Sequence, residues 1–197
     1  MKIKIHRGTH QIGGSAIEIS TASTRIILDF GNELSLDEKY IPINLDIDGV
    51  TKGLSDCDGI VISHYHMDHL GQLTSALPEI PLYMGKLSKE VAMIATEHQD
   101  KDLYLRLLGA NTFRGGEAFT IGNIHIRPLV IDHSAVDSYM FVIEAEGKRV
   151  LYTGDFRMHG LRSHIVEKLV KTYIGEVDVL ITEGTLVSRG VNDGISE

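Results

Sequence analysis

Between residues 64 and 69 the chain reads His-Tyr-His-Met-Asp-His, so four of six consecutive side chains are imidazoles or carboxylates. In extended backbone alternate residues share a side, which sends His64 and His66 the same way; a turn then sends Asp68 and His69 toward a neighbouring position. The run follows an apolar stretch, 59–63 (Gly-Ile-Val-Ile-Ser), that reads as a buried strand. Desolvating that many polar groups at a strand end is costly unless something binds them. Divalent metal ions suit the set, since zinc takes His nitrogen and Asp oxygen at about 2.0–2.2 Å and manganese accepts similar donors. One short loop of this kind can feed two ions.

Around this loop the chain is rich in strands. Residues 2–6, 15–20 and 24–29 alternate or run apolar and are separated by Gly8 and by Gly13-Gly14, the pattern of an antiparallel meander. The Gly13-Gly14-Ser15 turn allows backbone to approach the metal loop closely, and a plain turn explains it as well. A short helix is expected over about 70–77, a strand over 80–84, and an amphipathic helix over 86–98 on the spacing of Leu87, Val91, Ile94 and Ala95. Further helix is expected over 101–108, then strands over 117–120, 123–130, 139–144 and 148–152, the last two joined by a Glu146-Gly147 turn. A helix over 163–173 and a strand over 177–182 complete the pattern. Strands interleaved with helices, without strict alternation, imply packed sheets with helices outside. At 197 residues the chain suits one domain, 1–197.

Apolar residues make up 43% and charged residues 23%, the balance of a chain that folds around a core. No apolar stretch approaches the roughly 20 residues of a membrane span, so a cytoplasmic location and no membrane partner are expected. The single cysteine, Cys57, has no disulfide partner and reads as a small buried residue. Without a GxxxxGK[ST] loop or a GxSxG elbow, nucleotide hydrolysis of the P-loop kind and serine hydrolysis have no support.

The run 64–69 matches the HxHxDH signature, and on it the chain resembles the metallo-β-lactamase superfamily. The likeness covers nearly the whole chain. Asp29 ends Ile-Ile-Leu-Asp-Phe-Gly like the first family motif, His133 sits in Ile-Asp-His-Ser like the third, and Asp155 in Tyr-Thr-Gly-Asp like the fourth. It implies an α/β (α+β) chain folded as an αββα four-layer sandwich, with the site where strand ends meet. It further implies two divalent ions, zinc or alternatively manganese, with His64, His66 and His133 on one, Asp68 and His69 on the other, and Asp155 bridging them. Asp29 is expected to support the loop by hydrogen bonds rather than to bind metal. A hydroxide between the ions would be the nucleophile, with Asp68 as the catalytic residue that orients it and accepts its proton.

Two segments, Gly154-Asp155-Phe156-Arg157 and Leu180-Ile181-Thr182-Glu183-Gly184-Thr185, resemble the β-CASP branch of nucleases, including the ribonuclease J-like RNA-processing exonucleases. By that likeness Glu183 is a second catalytic residue, acting through contacts with histidines. Arg157 could offer its guanidinium to a substrate phosphate, or equally form an ion pair. His159 and His164 are expected at the surface. A net charge of −8 argues against a broad electrostatic grip on nucleic acid, although bound divalent ions would make the local field positive. Branch members continue past the motif around Glu183 with an inserted domain and further histidine motifs, whereas here a polar tail from Leu186 to Glu197 follows without a closing element. The chain is therefore expected to be the N-terminal portion of a longer enzyme, with a sandwich incomplete at the C-terminus and an exposed apolar face that favours a homodimer. The expected activity is metal-dependent phosphodiester hydrolysis of RNA. The alternatives are thioester or lactam hydrolysis on the same fold, and a metal-binding module without turnover.

Overall fold

A computed structural model describes residues 1–35, 43–160 and 163–185 of the chain. The polar tail from Leu186 onward lies outside these described residues.

The first three strands, β1 (Lys2–Arg7), β2 (Ala16–Ser20) and β3 (Arg25–Leu28), pair antiparallel as the expected meander. β4 (Gly59–Ile62), β5 (Leu82–Gly85) and β6 (Asn111–Phe113) then add in parallel, making a six-stranded sheet in the order β1-β2-β3-β4-β5-β6. The second sheet contains β7 (Phe119–Ile121), β8 (Ile124–Val130), β9 (Tyr139–Ala145), β10 (Lys148–Tyr152) and β11 (Val179–Ile181), in the order β11-β10-β9-β8-β7. Its pairs are antiparallel except β10 with β11. Glu146 and Gly147 turn the β9–β10 hairpin with φ of 50° and 67°, the left-handed pair that matches strand twist.

Side-chain alternation builds the layers. On β3, Ile26 and Leu28 enter the core between the sheets while Ile27 enters the outer core; on β4, Val61 points inward and Ile60 and Ile62 outward. On β9, Phe141 and Ile143 face the first sheet, and Met140 and Val142 face the opposite way. The outer face of the first sheet is covered by α2 (Lys86–Thr96) and α3 (Lys101–Leu108), through residues such as Ala92, Leu103 and Leu107. The outer face of the second is covered by α4 (Ser163–Leu169) through Leu169, with Ile174 from the π-helical turn Val170–Ile174 that follows. The layers are thus helix, sheet, sheet, helix.

Some elements differ from expectation. In place of a helix over 70–77 there are α1 (Met67–Leu70) and a 3-10 turn, Leu73–Ser75. Gly71 caps α1 by donating to Met67 O, and a Cβ there would lie 2.3 Å from Asn32 Nδ2, so the chain stops where it meets the segment after β3. The strand β6 was not anticipated, because Asn-Thr-Phe buries only Phe113 and shows neither alternation nor an apolar run. The expected helix over 163–173 loses α-helical geometry after Leu169.

Candidate metal centre

The strands end in one direction at this edge, and the loops after β3, β4, β8 and β10 carry Asp29, the histidine run, His133 and Asp155. Ser63 O accepts from Tyr139 N at 3.1 Å, which joins the two sheets at the base of the site. The backbone of the segment after β3 is bonded to that of the histidine loop, with Phe30 N donating to His69 O at 2.7 Å and Asn32 N to Met67 O at 2.9 Å. Ser15 N donates to Asp68 O, and a Cβ on Gly13 would lie 2.8 Å from Asp68 Cβ, so the Gly13-Gly14-Ser15 turn does approach the loop closely.

His64, His66 and His133 converge. His64 Nε2 lies 3.1 Å from His66 Nδ1, and His133 Nε2 lies 3.3 Å from the same atom. A second group, His64, His69 and Asp155, shares His64; in each group the potential ligand atoms lie within 4.8 Å of one another. His69 Nε2 is 3.3 Å from Asp155 Oδ1 and 3.7 Å from Asp68 Oδ2, which sets Asp68 at the edge of this second group.

The electrostatics divide the centre into two sides. Burial drives the His64 imidazole far below its usual range, reinforced by the neighbouring histidines, and burial lowers His133 to about 4. His66 is also lowered, by burial above all. These rings are therefore neutral, and their nitrogens lie close enough together to be shared by one cation. His69 behaves in the opposite way. Burial pushes it down too, but the Asp29 and Asp155 carboxylates outweigh that and raise it to about 10. Burial favours the neutral acid at Asp155, yet contact with His69 keeps its pKa below normal, while at Asp68 burial prevails and the pKa rises. Neutral nitrogens beside clustered carboxylates form a donor set that fits divalent ions.

Asp29 is completely buried, with φ of 54°, and touches His69 Nδ1 at 2.7 Å. Its carboxylate also accepts from the Ser63 amide and hydroxyl and from Tyr152 OH. Sequence reasoning did not single out Ser63 or Tyr152. The first adjoins the histidine run, but Tyr152 reads as an ordinary strand residue; burial, then Asp29, holds its pKa well above normal. Tyr65 was also passed over, and its hydroxyl accepts from Val136 N at 3.3 Å in the loop that carries His133.

Glu183 is not brought to a histidine among the described residues. Its Oε1 accepts from Phe156 N at 2.7 Å, bracing the loop just after Asp155. Arg157 turns its guanidinium to Asp132, with Nε 3.7 Å from Oδ1, and its amide donates to Asp132 O. His159 and His164 are exposed. Cys57 is buried, and burial raises its thiol to about 11.

Residues 26–192 match the family model described as the Beta-lactamase superfamily domain. The chain is 28% identical over 198 residues to an RNase J-like protein of Methanocaldococcus jannaschii, covering 93% of this chain and 42% of that protein. It is 28% identical over 200 residues to Endoribonuclease ysh-1 of Neurospora crassa, covering 90% of this chain and 23% of that protein. The chain thus spans less than half the length of these curated relatives. Among solved structures, a metallo-β-lactamase fold protein of Bacillus subtilis is similar with a TM-score of 0.55 at 17% identity, covering 90% of this chain and 69% of that one. The four-layer architecture agrees with that fold, and with a family match over most of its length the chain belongs to the metallo-β-lactamase superfamily.

Proposed function

We propose that the chain carries the metal centre of a hydrolase that cleaves phosphodiester bonds in RNA. The observation that supports it best is the pair of donor groups sharing His64 at the common edge of the two sheets. In this reading His64, His66 and His133 would hold one divalent ion, Asp68 and His69 would hold a second, and Asp155 would contribute to both. Two such ions, zinc or manganese, would bring the pKa of a water toward neutrality and offset charge on a phosphoryl oxygen.

The chain's own residues do the rest. Asp68, whose pKa is raised by burial, orients the attacking water and takes up its proton. Asp29 holds His69, and Glu183 holds the Asp155 loop through the Phe156 amide rather than through a histidine. Arg157, paired with Asp132 and about one-third exposed, can exchange that partner for a substrate phosphate. RNA as substrate is supported by the names of the two relatives, RNase J-like protein and endoribonuclease. Their greater length supports reading the chain as one portion of a longer enzyme. Among the described residues no helix is long and apolar enough to cross a membrane, which agrees with an encounter with RNA in the cytoplasm.

The test pairs elemental analysis with RNA hydrolysis, and His64→Ala serves as the control. About two zinc or manganese ions per chain, lost in the variant, together with cleavage of labelled RNA, is the expected result. Product lengths then separate trimming from an end, expected from the ribonuclease J-like resemblance, from internal cutting. Metal binding with thioester or lactam turnover and no RNA cleavage would overturn the nuclease reading, and a chain that binds no metal would overturn the centre itself.

A further inference from the structure

Behind the donor groups, a single buried carboxylate gathers hydrogen bonds from both sheets. Asp29 Oδ1 accepts from Ser63 N at 2.7 Å, and Oδ2 accepts from Ser63 Oγ at 2.7 Å and from Tyr152 OH at 2.5 Å. His69 Nδ1 lies 2.7 Å from the same Oδ2, and His64 Nδ1 lies 3.0 Å from Ser63 Oγ. Asp29, Ser63, His64 and His69 are each at most 1% exposed and Tyr152 is 4% exposed, so bulk water does not compete for these groups.

The proton inventory then orders the network. A serine hydroxyl has a single proton to give, and Ser63 Oγ is the donor to Asp29 Oδ2. Ser63 donates that proton to Asp29, which leaves its lone pairs toward His64, so His64 Nδ1 must be the donor there. His69 Nδ1 likewise donates to Asp29. His64 therefore keeps Nε2, the atom that faces His66, free of a proton for a ligand, while His69, held through Nδ1, turns Nε2 toward Asp155. Tyr152 has a separate part. It belongs to β10 in the second sheet, whereas Asp29, Ser63 and both histidines follow strands of the first, so its hydroxyl fixes the carboxylate from across the inter-sheet core.

We propose that Ser63 and Tyr152 are positioning residues for the two ion sites, with Ser63 setting the tautomer of the first-ion ligand His64 and Tyr152 holding the Asp29 carboxylate that orients His69. Both sites are thereby tied to one hydrogen-bonded centre built from both sheets. This rests on the metal-centre reading given above, and His64→Ala in the wild-type background tests that reading separately.

The experiment uses the whole chain, with Ser63→Ala, Tyr152→Phe and Ser63→Thr as variants. Zinc affinity at each position is read by chelator competition, and the histidine tautomers by two-bond proton–nitrogen NMR spectra of the metal-free protein. Partners of ligating histidines typically contribute ten- to a hundredfold in metal affinity, so losses of about that size are expected. Tyr152→Phe should weaken chiefly the second ion. Ser63→Ala should weaken the first and shift His64 toward the Nε2-protonated form, and Ser63→Thr should restore both properties. Both ions bound within about twofold of wild type, with His64 unchanged in tautomer, would overturn the proposal. So would a parallel loss of both ions in step with the melting temperature and no tautomer change, which would mark the hydroxyls as merely structural. If the wild-type chain binds no zinc and His64→Ala makes no difference, the metal-centre reading fails first and the proposal falls with it.

Discussion

At the scale of single residues, His69 and His133 lie in one centre and are displaced in opposite directions. Burial disfavours the charged form of both, but only His69 has carboxylates close enough to reverse the effect, so it is raised to about 10 while His133 falls to about 4. Before metal enters, His69 is protonated throughout the neutral range, and an ion that takes its Nε2 must release that proton. His64, His66 and His133 lie below their ordinary values and are neutral above about pH 7, so an ion held by those three releases none. The sign follows from this difference: second-ion affinity should rise about tenfold per pH unit from about pH 7 to 9 and level off as pH passes the His69 value near 10, while first-ion affinity stays flat. Calorimetric titration in two buffers of different ionisation enthalpy should count about one proton released for the second ion and about none for the first; none for both would mean that His69 is neutral. Substitution separates ligand from bystander. His66 sits 3.1 Å from His64 and 3.3 Å from His133, whereas His98 has a side chain 89% exposed with Glu97 3.9 Å away. His66→Ala should therefore remove metal and most activity and His98→Ala neither, with metal content per chain as the check. Equal losses would dissolve the assignment.

At the scale of elements, the loop after β3 and the histidine loop behave as one unit joined through backbone. A Cβ on Gly31 would lie 1.6 Å from Asp68 O, closer than any rearrangement of a flexible side chain could relieve. Gly31→Ala should push the two loops apart at a cost of about 3 kcal/mol, the upper part of the usual range for overpacking. For a chain of this size that corresponds to a fall of roughly 6–12 °C in melting temperature. Second-ion affinity should fall with it, because Asp68 and His69 move with the loop. Thermal melting beside zinc competition checks both, and an unchanged melting temperature would show that the loops tolerate separation. Gly31 also marks the boundary of what could be read from the sequence. Residues 64–69 were legible because their chemistry is concentrated in one short run, and β10 because its apolar run and the turn before it are local. The contacts of Gly31, the reach of Tyr152 to Asp29 and the turn of Glu183 to the Phe156 amide depend on pairing distant segments, and no local pattern records them. The strand β6 was lost because only one of its three residues, Phe113, is apolar and buried.

At the scale of the whole molecule, the two sheets cover each other and helices cover their outer faces, but among the described residues one margin stays apolar and open. β11 forms an edge of the second sheet, with Val179 39% and Leu180 56% exposed. Val170 and Tyr173, in the π-helical turn that precedes it, are 51% and 48% exposed. An exposed apolar edge strand offers unpaired backbone groups and favourable burial to another strand, and a lysine on such an edge is an effective deterrent to pairing. The same strand leads into Glu183, which braces the Asp155 loop. In isolation the chain should associate through this margin, giving a sedimentation coefficient that rises with concentration. Leu180→Lys should hold that coefficient at the monomer value across the same range and leave metal content unchanged, since residue 180 contacts none of the donor groups. A wild-type chain that sediments as a monomer at every concentration would remove the case for a homodimer, and association that survives Leu180→Lys would place the contact on a surface other than this edge.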